Sequence, residues 1–312
     1  METLEKLLEK KKYFDERVTA SILYLSEALK VEIHNTSELS PSWMTYGYYF
    51  SCLKKIEEND LVAAKSFLQK AIDSYHYKLS EIKVTFADKM FMKSEEHALI
   101  RSIYDRPDNN EAAYLFGAFS NDLEQEKKKI YKALSTIETH LPEYYQQLVN
   151  FIPNLLITGP TDTRFITSAS TVKLFGCVII GSYGTSSICT YLEDLIHELA
   201  HHRLFLEQAH DELIKNSPNE KYPAPFRSDL RPMAGLFHAH YVLGNIFKTF
   251  HTLSCLEEWK KNAEFQEMLS SAKRRFYHGK EIIDQHGQFT ERGLNIYQTI
   301  NKEVDLIVVS AT

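Results

Sequence analysis

The first 150 residues carry a helical pattern of apolar side chains, and this pattern constrains the fold more than any other feature of the sequence. Apolar positions recur three and four residues apart, as at Leu4, Leu7 and Leu8, and glycine is almost absent. This spacing lines one face of a helix with apolar side chains, so the N-terminal half is predicted to be helical. Within it, the stretch 44–75 is predicted to form two helices joined by a turn at Asn59-Asp60.

The helical pattern is interrupted after residue 150, where Pro153, Gly159, Pro160 and a polar run over 161–170 follow one another. The next stretch, 174–180, is short and apolar and ends at Gly181, which predicts one or two strands of a small buried sheet. The predicted fold class is therefore mainly α with a small β-sheet (α+β). We expect a helical N-terminal half, residues 1–130, packed on a C-terminal helical core, residues 131–312.

Helical spacing returns in the last third of the chain. The apolar stripe through Leu192, Leu195 and Leu199 predicts a helix from about 187 to 212. A loop is expected over 216–225, a further helix over 233–250 and a turn at 285–288. Thr290 is the predicted N-cap of a last helix that runs over 291–303.

Charge and composition bear on the kinds of partner to expect. A net charge of −6 and a pI near 6.1 disfavour nucleic acid as a partner, because nucleic-acid-binding domains carry clustered basic surfaces. No stretch approaches the roughly 20 apolar residues of a membrane span, and Met1 leads into a charged run instead of an apolar signal core. We expect a cytoplasmic protein that binds neither nucleic acid nor membrane. Its four cysteines are widely spaced, so they are interpreted as reduced core residues.

The segment with the clearest chemical meaning is His197-Glu198-Leu199-Ala200-His201. On a helix, residues four apart lie on the same face, so His197 and His201 can direct ring nitrogens at one metal ion. Glu198 projects about 100° around the helix from His197 and can reach a metal-bound water. His202 points to another face and is interpreted as a solvated residue or as an outer neighbour of the metal site.

A zinc peptidase is the first function that this pattern predicts, with Glu198 as general base on a zinc-bound water. The extended pattern of the metzincins places a glycine and a third histidine further along the helix. Those positions hold Leu204 and Glu207 here, so the chain is not a metzincin.

A second cluster follows the motif and suggests different chemistry. Arg227 and Arg231 bracket Asp229 in a proline-rich segment that can present guanidinium groups to a carboxylate, although both arginines can equally well pair with nearby acids such as Asp229. His238 lies on the next apolar helix and is a candidate third ligand. His240 is about 200° around that helix from His238, so both histidines cannot easily face the same metal.

With these residues in place, the chain resembles the family of HExxH-motif peptide-modification proteins, which act in pathways for ribosomally made peptides. The resemblance follows a linked order of segments: 134–145, Thr167-Ser168, 177–181, 197–201, Ala224-Pro225-Phe226-Arg227-Ser228-Asp229-Leu230-Arg231-Pro232, 236–241 and 289–293. Phe226 and Leu230 stand where the family usually has tryptophan and proline, and His240 replaces a small residue.

The resemblance implies a non-haem iron enzyme that uses 2-oxoglutarate and oxygen to hydroxylate a β-carbon in a ribosomal precursor peptide. His197, His201 and His238 would be the Fe(II) ligands, with Asp229 as a rival for the third place because a facial triad with one carboxylate is common. Arg227 or Arg231 would bind the distal carboxylate of 2-oxoglutarate. Glu198 would orient a ligand or a water. Residues 1–130 are then interpreted as a helical region for substrate or partner recognition, and residues 131–312 as the metal-binding catalytic domain that carries the HExxH motif.

Overall fold

A computed structural model describes residues 2–33, 39–104, 117, 123–159, 168–224 and 229–310. Of these residues 69% are helical, and the strands form one small mixed sheet and one two-stranded sheet, which confirms the predicted fold class. The chain divides into two compact units, residues 2–188 and residues 189–312. The boundary near residue 130 that the sequence predicted separates two roles, recognition and catalysis. That boundary stays a prediction.

The described elements of the N-terminal unit are six helices and four strands. They are α1 (Leu4–Leu29), α2 (Trp43–Glu57), α3 (Leu61–Asp73), β1 (Lys83–Phe86), α4 (Glu95–Tyr104), α5 (Leu123–His140), α6 (Pro142–Phe151), β2 (Asn154–Thr158), β3 (Ser168–Ala169) and β4 (Cys177–Gly181). Two short 3₁₀ turns, Phe91–Lys93 and Val172–Leu174, complete it.

The predicted pair of helices over 44–75 is present as α2 and α3. Asn59 adopts the left-handed conformation with φ of 59°, which turns the chain, and the Asp60 side chain then accepts a hydrogen bond of 3.0 Å from the backbone N–H of Ala63. An asparagine tolerates positive φ better than most residues, and an aspartate satisfies a free N–H at a helix start. The local turn chemistry therefore explains the hairpin.

The four-stranded sheet has the order β1-β2-β4-β3, in which β1, β2 and β4 are parallel and β3 is antiparallel to β4. All five residues of β4 are buried, and so are the last four of β2. Strands buried on both faces read as continuous apolar runs, which is why the stretch 174–180 indicated a strand. The prediction did not foresee β1 inside the helical half, because four residues are too few to show a strand period.

The C-terminal unit contains five described helices and a two-stranded sheet. They are α7 (Ile188–Gln208, whose first residue belongs to the other unit), β5 (Lys221–Tyr222), β6 (Arg231–Pro232), α8 (Met233–Ser254), α9 (Glu257–Lys260), α10 (Ala263–His286) and α11 (Glu291–Ser310). The predicted helices are all found, with α7 ending four residues early and α11 continuing past residue 303. The predicted loop 216–225 contains β5, which pairs with β6.

The core of this unit lies where α8 packs against α10 and α11. Leu204, Met233, Phe237, Ile283 and Tyr297 belong to one buried cluster there. Gly244 allows the close approach, since a Cβ at that position would lie 2.5 Å from Cγ1 of Ile300. This packing holds α8 in place against its neighbours.

The start of α11 is tied to the segment that follows α7. Thr290 is its N-cap, as predicted, because its hydroxyl accepts the N–H of Gly293 at 3.0 Å and donates to the carbonyl of Glu212 at 2.7 Å. The backbone N–H of Thr290 also donates to the carbonyl of Leu213 at 3.2 Å. Gly293 passes so close to Leu213 that a Cβ there would lie 1.9 Å from its carbonyl oxygen.

All four cysteines are free, as expected, but only three of them are buried. Cys255 is exposed at the end of α8, so its interpretation as a core residue is wrong. Apolar periodicity does not distinguish a helix interior from its end, where the chain turns outward. Among the described residues, no helix is both long enough and apolar enough to cross a membrane.

Gly293→Ala is expected to lower the free energy of unfolding by about 1 to 3 kcal/mol, because the new methyl group meets a backbone oxygen that cannot move without breaking the Thr290 cap. Urea unfolding followed by circular dichroism measures this change in the free energy of unfolding. Gly235→Ala is the matched control, since its Cβ would meet nothing closer than 4.0 Å. Equal stability of the two variants would contradict the packing argument.

Candidate metal centre

The two histidines of the motif converge on one point. His197 and His201 lie on the same face of α7, and their Nε2 atoms are 3.2 Å apart. Two nitrogens held about 2.1 Å from one ion, at an angle of roughly 100°, lie about 3.2 Å from each other. The separation in the protein matches that of two ligands of one ion, and it is also the length of an N–H···N hydrogen bond between the two rings. The two histidines share one face as predicted, and their binding of a metal ion stays a prediction.

The protonation state of His201 suits metal binding. The pKa of His201 lies well below 6.5, first because the ring is removed from water and then because His197, His238 and His202 add unfavourable positive charge. A neutral imidazole keeps a lone pair on one ring nitrogen, and metals bind that lone pair. At neutral pH His201 is ready to act as a ligand without first losing a proton.

Glu198 lies beside the pair, although it is almost completely buried. Its side chain is 2% exposed, whereas that of His197 is 40% exposed, and its Oε1 atom is 4.0 Å from Nε2 of His197. Its backbone carbonyl accepts a 2.8 Å hydrogen bond from Nδ1 of His202. His202 is fully buried, with its pKa lowered to about 4 by desolvation, so its interpretation as a solvated residue is wrong.

His238 lies next to the pair on helix α8. Its ring centroid is 5.7 Å from that of His201, compared with 4.9 Å between the rings of His197 and His201. Burial lowers its pKa to about 4, so this ring is neutral as well. Its Nε2 atom lies 3.0 Å from Nε2 of Gln208, the last residue of α7.

No group of three or more His, Cys, Asp or Glu side chains is arranged to hold a metal ion within the part of the chain that the structure describes. The preformed part of the centre is therefore the pair His197 and His201, with His238 adjacent. The chemistry of the donors fits a metal such as zinc or iron(II), because both accept neutral imidazole nitrogen. The third ligand stays a prediction.

His240 points into the helical core of its unit. Its Nε2 atom is 3.0 Å from Oδ1 of Asn301, and its ring stacks on Phe276 at a centroid distance of 4.1 Å. Desolvation lowers its pKa to about 4. These contacts with α10 and α11 agree with the expected separation of His240 from His238 around the helix.

The arginine cluster is only partly described. Arg227 lies outside the described residues. Arg231 lies in β6, two residues before α8, and its Nε atom forms an ion pair of 2.9 Å with Oδ2 of Asp229. The local pairing that the sequence left open is thus present for Arg231. Asp229 is 57% exposed in that pair, and its rivalry with His238 for the third ligand position stays a prediction.

Three further residues on the side of α7 that carries His197 and His201 were not predicted from the sequence. Glu193 lies one turn before His197; burial raises its pKa, while His197 and Arg275 lower it. Phe205 stacks on His201 with ring centroids 6.2 Å apart, and Gln208 contacts His238. Spacing of four residues from His197 and from His201 would have found Glu193 and Phe205.

The metal-free protein is expected to lose stability as the pH falls from about 6.5 to 4. Unfolded histidine titrates near pH 6.5, whereas folded His202 and His240 have a pKa of about 4, so the unfolded chain binds more protons in that window. In that window, each such histidine lowers the free energy of unfolding by about 1.4 kcal/mol for every pH unit that the pH falls. Urea unfolding near pH 7, 6 and 5 measures the slope, and His202→Gln should make it shallower. An unchanged slope in that variant would show that His202 is not held neutral.

A family relationship would depend on the order of the segments that carry the resemblance to HExxH-motif peptide-modification proteins. No protein-family model matches the chain, and no curated protein matches it either. The resemblance to HExxH-motif peptide-modification proteins therefore stays a prediction, and the functional argument rests on the geometry of His197, His201 and His238.

Proposed function

We propose that this protein is a metal-dependent enzyme in which His197 and His201 bind one divalent ion and His238 completes the ligand set. The observation that carries the proposal is the 3.2 Å separation of the two Nε2 atoms on one face of α7. Two histidines held on one face of a helix lose little conformational freedom on binding, which favours affinity. Three protein ligands leave positions open for substrate, as in catalytic sites.

The activity that we propose is oxygen-dependent hydroxylation at a β-carbon of a peptide residue, with Fe(II) and 2-oxoglutarate as cofactors. When bound, the two cofactors would supply the activation of oxygen for insertion into a carbon–hydrogen bond. The substrate class, a ribosomal precursor peptide, comes from the resemblance. The neutral rings of His201 and His238 support this proposal because they carry no charge that would repel Fe(II).

Arg231 is the described candidate for binding the distal carboxylate of 2-oxoglutarate. It is seven residues before His238, and α8 starts between them, so both side chains belong to the same end of that helix. Its present partner, Asp229, is more than half exposed, and an exposed ion pair of this kind contributes little stability. A dianionic ligand can therefore replace Asp229 at low cost.

Glu198 would help to orient the ligands in this enzyme. Its Oε1 atom lies 4.0 Å from Nε2 of His197, the nitrogen that would bind the ion, so its carboxylate is placed to orient a ligand or a water bound there. The same position also favours one alternative, a zinc-dependent peptidase in which Glu198 takes a proton from a zinc-bound water. Zinc-dependent peptide cleavage that is lost in Glu198→Gln, with the metal retained, would support the peptidase.

His197→Ala and His201→Ala are each expected to abolish stoichiometric metal binding, because each breaks the pair that converges on the ion and leaves one histidine of that pair with only His238 as a second ligand. Elemental analysis after anaerobic loading with Fe(II) measures the metal content, and the wild-type chain should hold one ion. His278→Ala is the matched control, since His278 is an exposed histidine of α10 in the same unit. Equal metal content in all variants would overturn the metal centre.

Anaerobic addition of 2-oxoglutarate to the Fe(II)-loaded protein should produce the weak visible charge-transfer band of a 2-oxo acid bound to iron. Arg231→Ala is expected to weaken 2-oxoglutarate binding by roughly 10-fold to 100-fold, because a charge-assisted contact is lost. Arg274→Ala is the control, since Arg274 forms a similar exposed pair of 2.9 Å with Glu267. Absence of the band in folded, metal-loaded protein would overturn the oxygenase proposal. Unchanged binding in both Arg227→Ala and Arg231→Ala would remove only the role of the arginines.

A further inference from the structure

The third histidine already has a hydrogen-bond partner at the nitrogen that a metal would use. Nε2 of His238 lies 3.0 Å from Nε2 of Gln208. A glutamine side-chain nitrogen only donates hydrogen bonds, so the ring nitrogen of His238 is the acceptor and its proton is on Nδ1. The lone pair of Nε2 is therefore occupied by an N–H of Gln208.

Gln208 is suited to this role by its place on α7. It is the last residue of the helix that carries both other histidines, seven residues after His201, and Phe205 lies between them against the His201 ring. Gln208 itself is exposed, and His238 is half-buried. An exposed amide at a helix end can turn away from His238 without disturbing the core.

We propose that Gln208 is a positioning residue: it holds the His238 ring by donating to Nε2, and so it competes with the metal ion for that lone pair. This inference rests on the proposed metal centre. A lone pair serves one partner at a time, so the hydrogen bond must open before His238 can bind the ion. The longer ring separation of 5.7 Å between His201 and His238, against 4.9 Å within the pair, agrees with a ring that is held toward Gln208.

The competition has a measurable consequence for affinity. Loss of one hydrogen bond of ordinary strength corresponds to a change of about fivefold in a dissociation constant. Gln208→Leu removes the donor but keeps a side chain of similar size at the end of α7. We expect this variant to bind a divalent ion about fivefold more tightly than the wild-type chain does.

The test uses the full chain, stripped of metal and titrated with Co(II), whose visible absorption reports the ligand set. Gln298→Leu is the matched control, because Gln298 is an exposed helical glutamine of the same unit. Tighter Co(II) binding in Gln208→Leu alone supports the inference. Equal or weaker binding in Gln208→Leu overturns it but leaves the metal centre intact. A wild-type chain that binds no Co(II) overturns both.

Nitrogen NMR of the metal-free chain gives a second readout that a merely structural role would not produce. With ¹⁵N-labelled histidine, and with His238→Gln to assign the signal, the unprotonated nitrogen of His238 should be Nε2 in the wild-type chain. Gln208→Leu should shift that nitrogen signal, because the donor is gone, while Gln298→Leu should not. A proton on Nε2 in the wild-type chain would overturn the inference regardless of the Co(II) result.

Discussion

The candidate site depends on the burial of helix α7. Fourteen of its 21 residues are buried, and several of these are polar. Arg203 donates a 2.9 Å hydrogen bond to Asn245 of α8, and Glu207 accepts one of 2.8 Å from Arg292 of α11. Because such buried contacts tolerate little displacement, they fix both the position of α7 and its rotation about its own axis. His197 and His201 face outward as a result, and their nitrogens stay 3.2 Å apart.

Burial also sets the chemistry of the histidines. Removal from water lowers the pKa of His201 and His238, so both rings are neutral near pH 7. Each neutral ring keeps a lone pair on one of its nitrogens. A metal ion would use those lone pairs, whereas in the metal-free chain one of them is occupied by Gln208. The same desolvation that destabilises the protein in acid therefore prepares the site for a cation.

The anion-binding part of the proposed site has a different character, because it is exposed. Arg231 pairs with Asp229 near the start of α8, where solvent screens the interaction. The partners of Arg231 can be exchanged more readily than those of Arg203 or Glu207 inside the core. In the proposed enzyme, His197 and His201 would hold the metal ion and Arg231 would exchange Asp229 for the anionic cofactor.

The sequence by itself determined the helical character of the chain, the α2–α3 hairpin and the placement of His197 and His201 on one face. All three follow from the spacing of residues along the sequence, because helical periodicity determines which side chains share a face. The short strand β1, the burial of His202, the exposure of Cys255 and the contact of Gln208 with His238 were decided only by the tertiary structure. Each depends on which side chains distant in sequence pack together, and periodicity within one segment carries no information about a partner in another. The helix that carries His238 was predictable from the sequence, but the place of His238 beside His201 follows from how α8 packs in its unit.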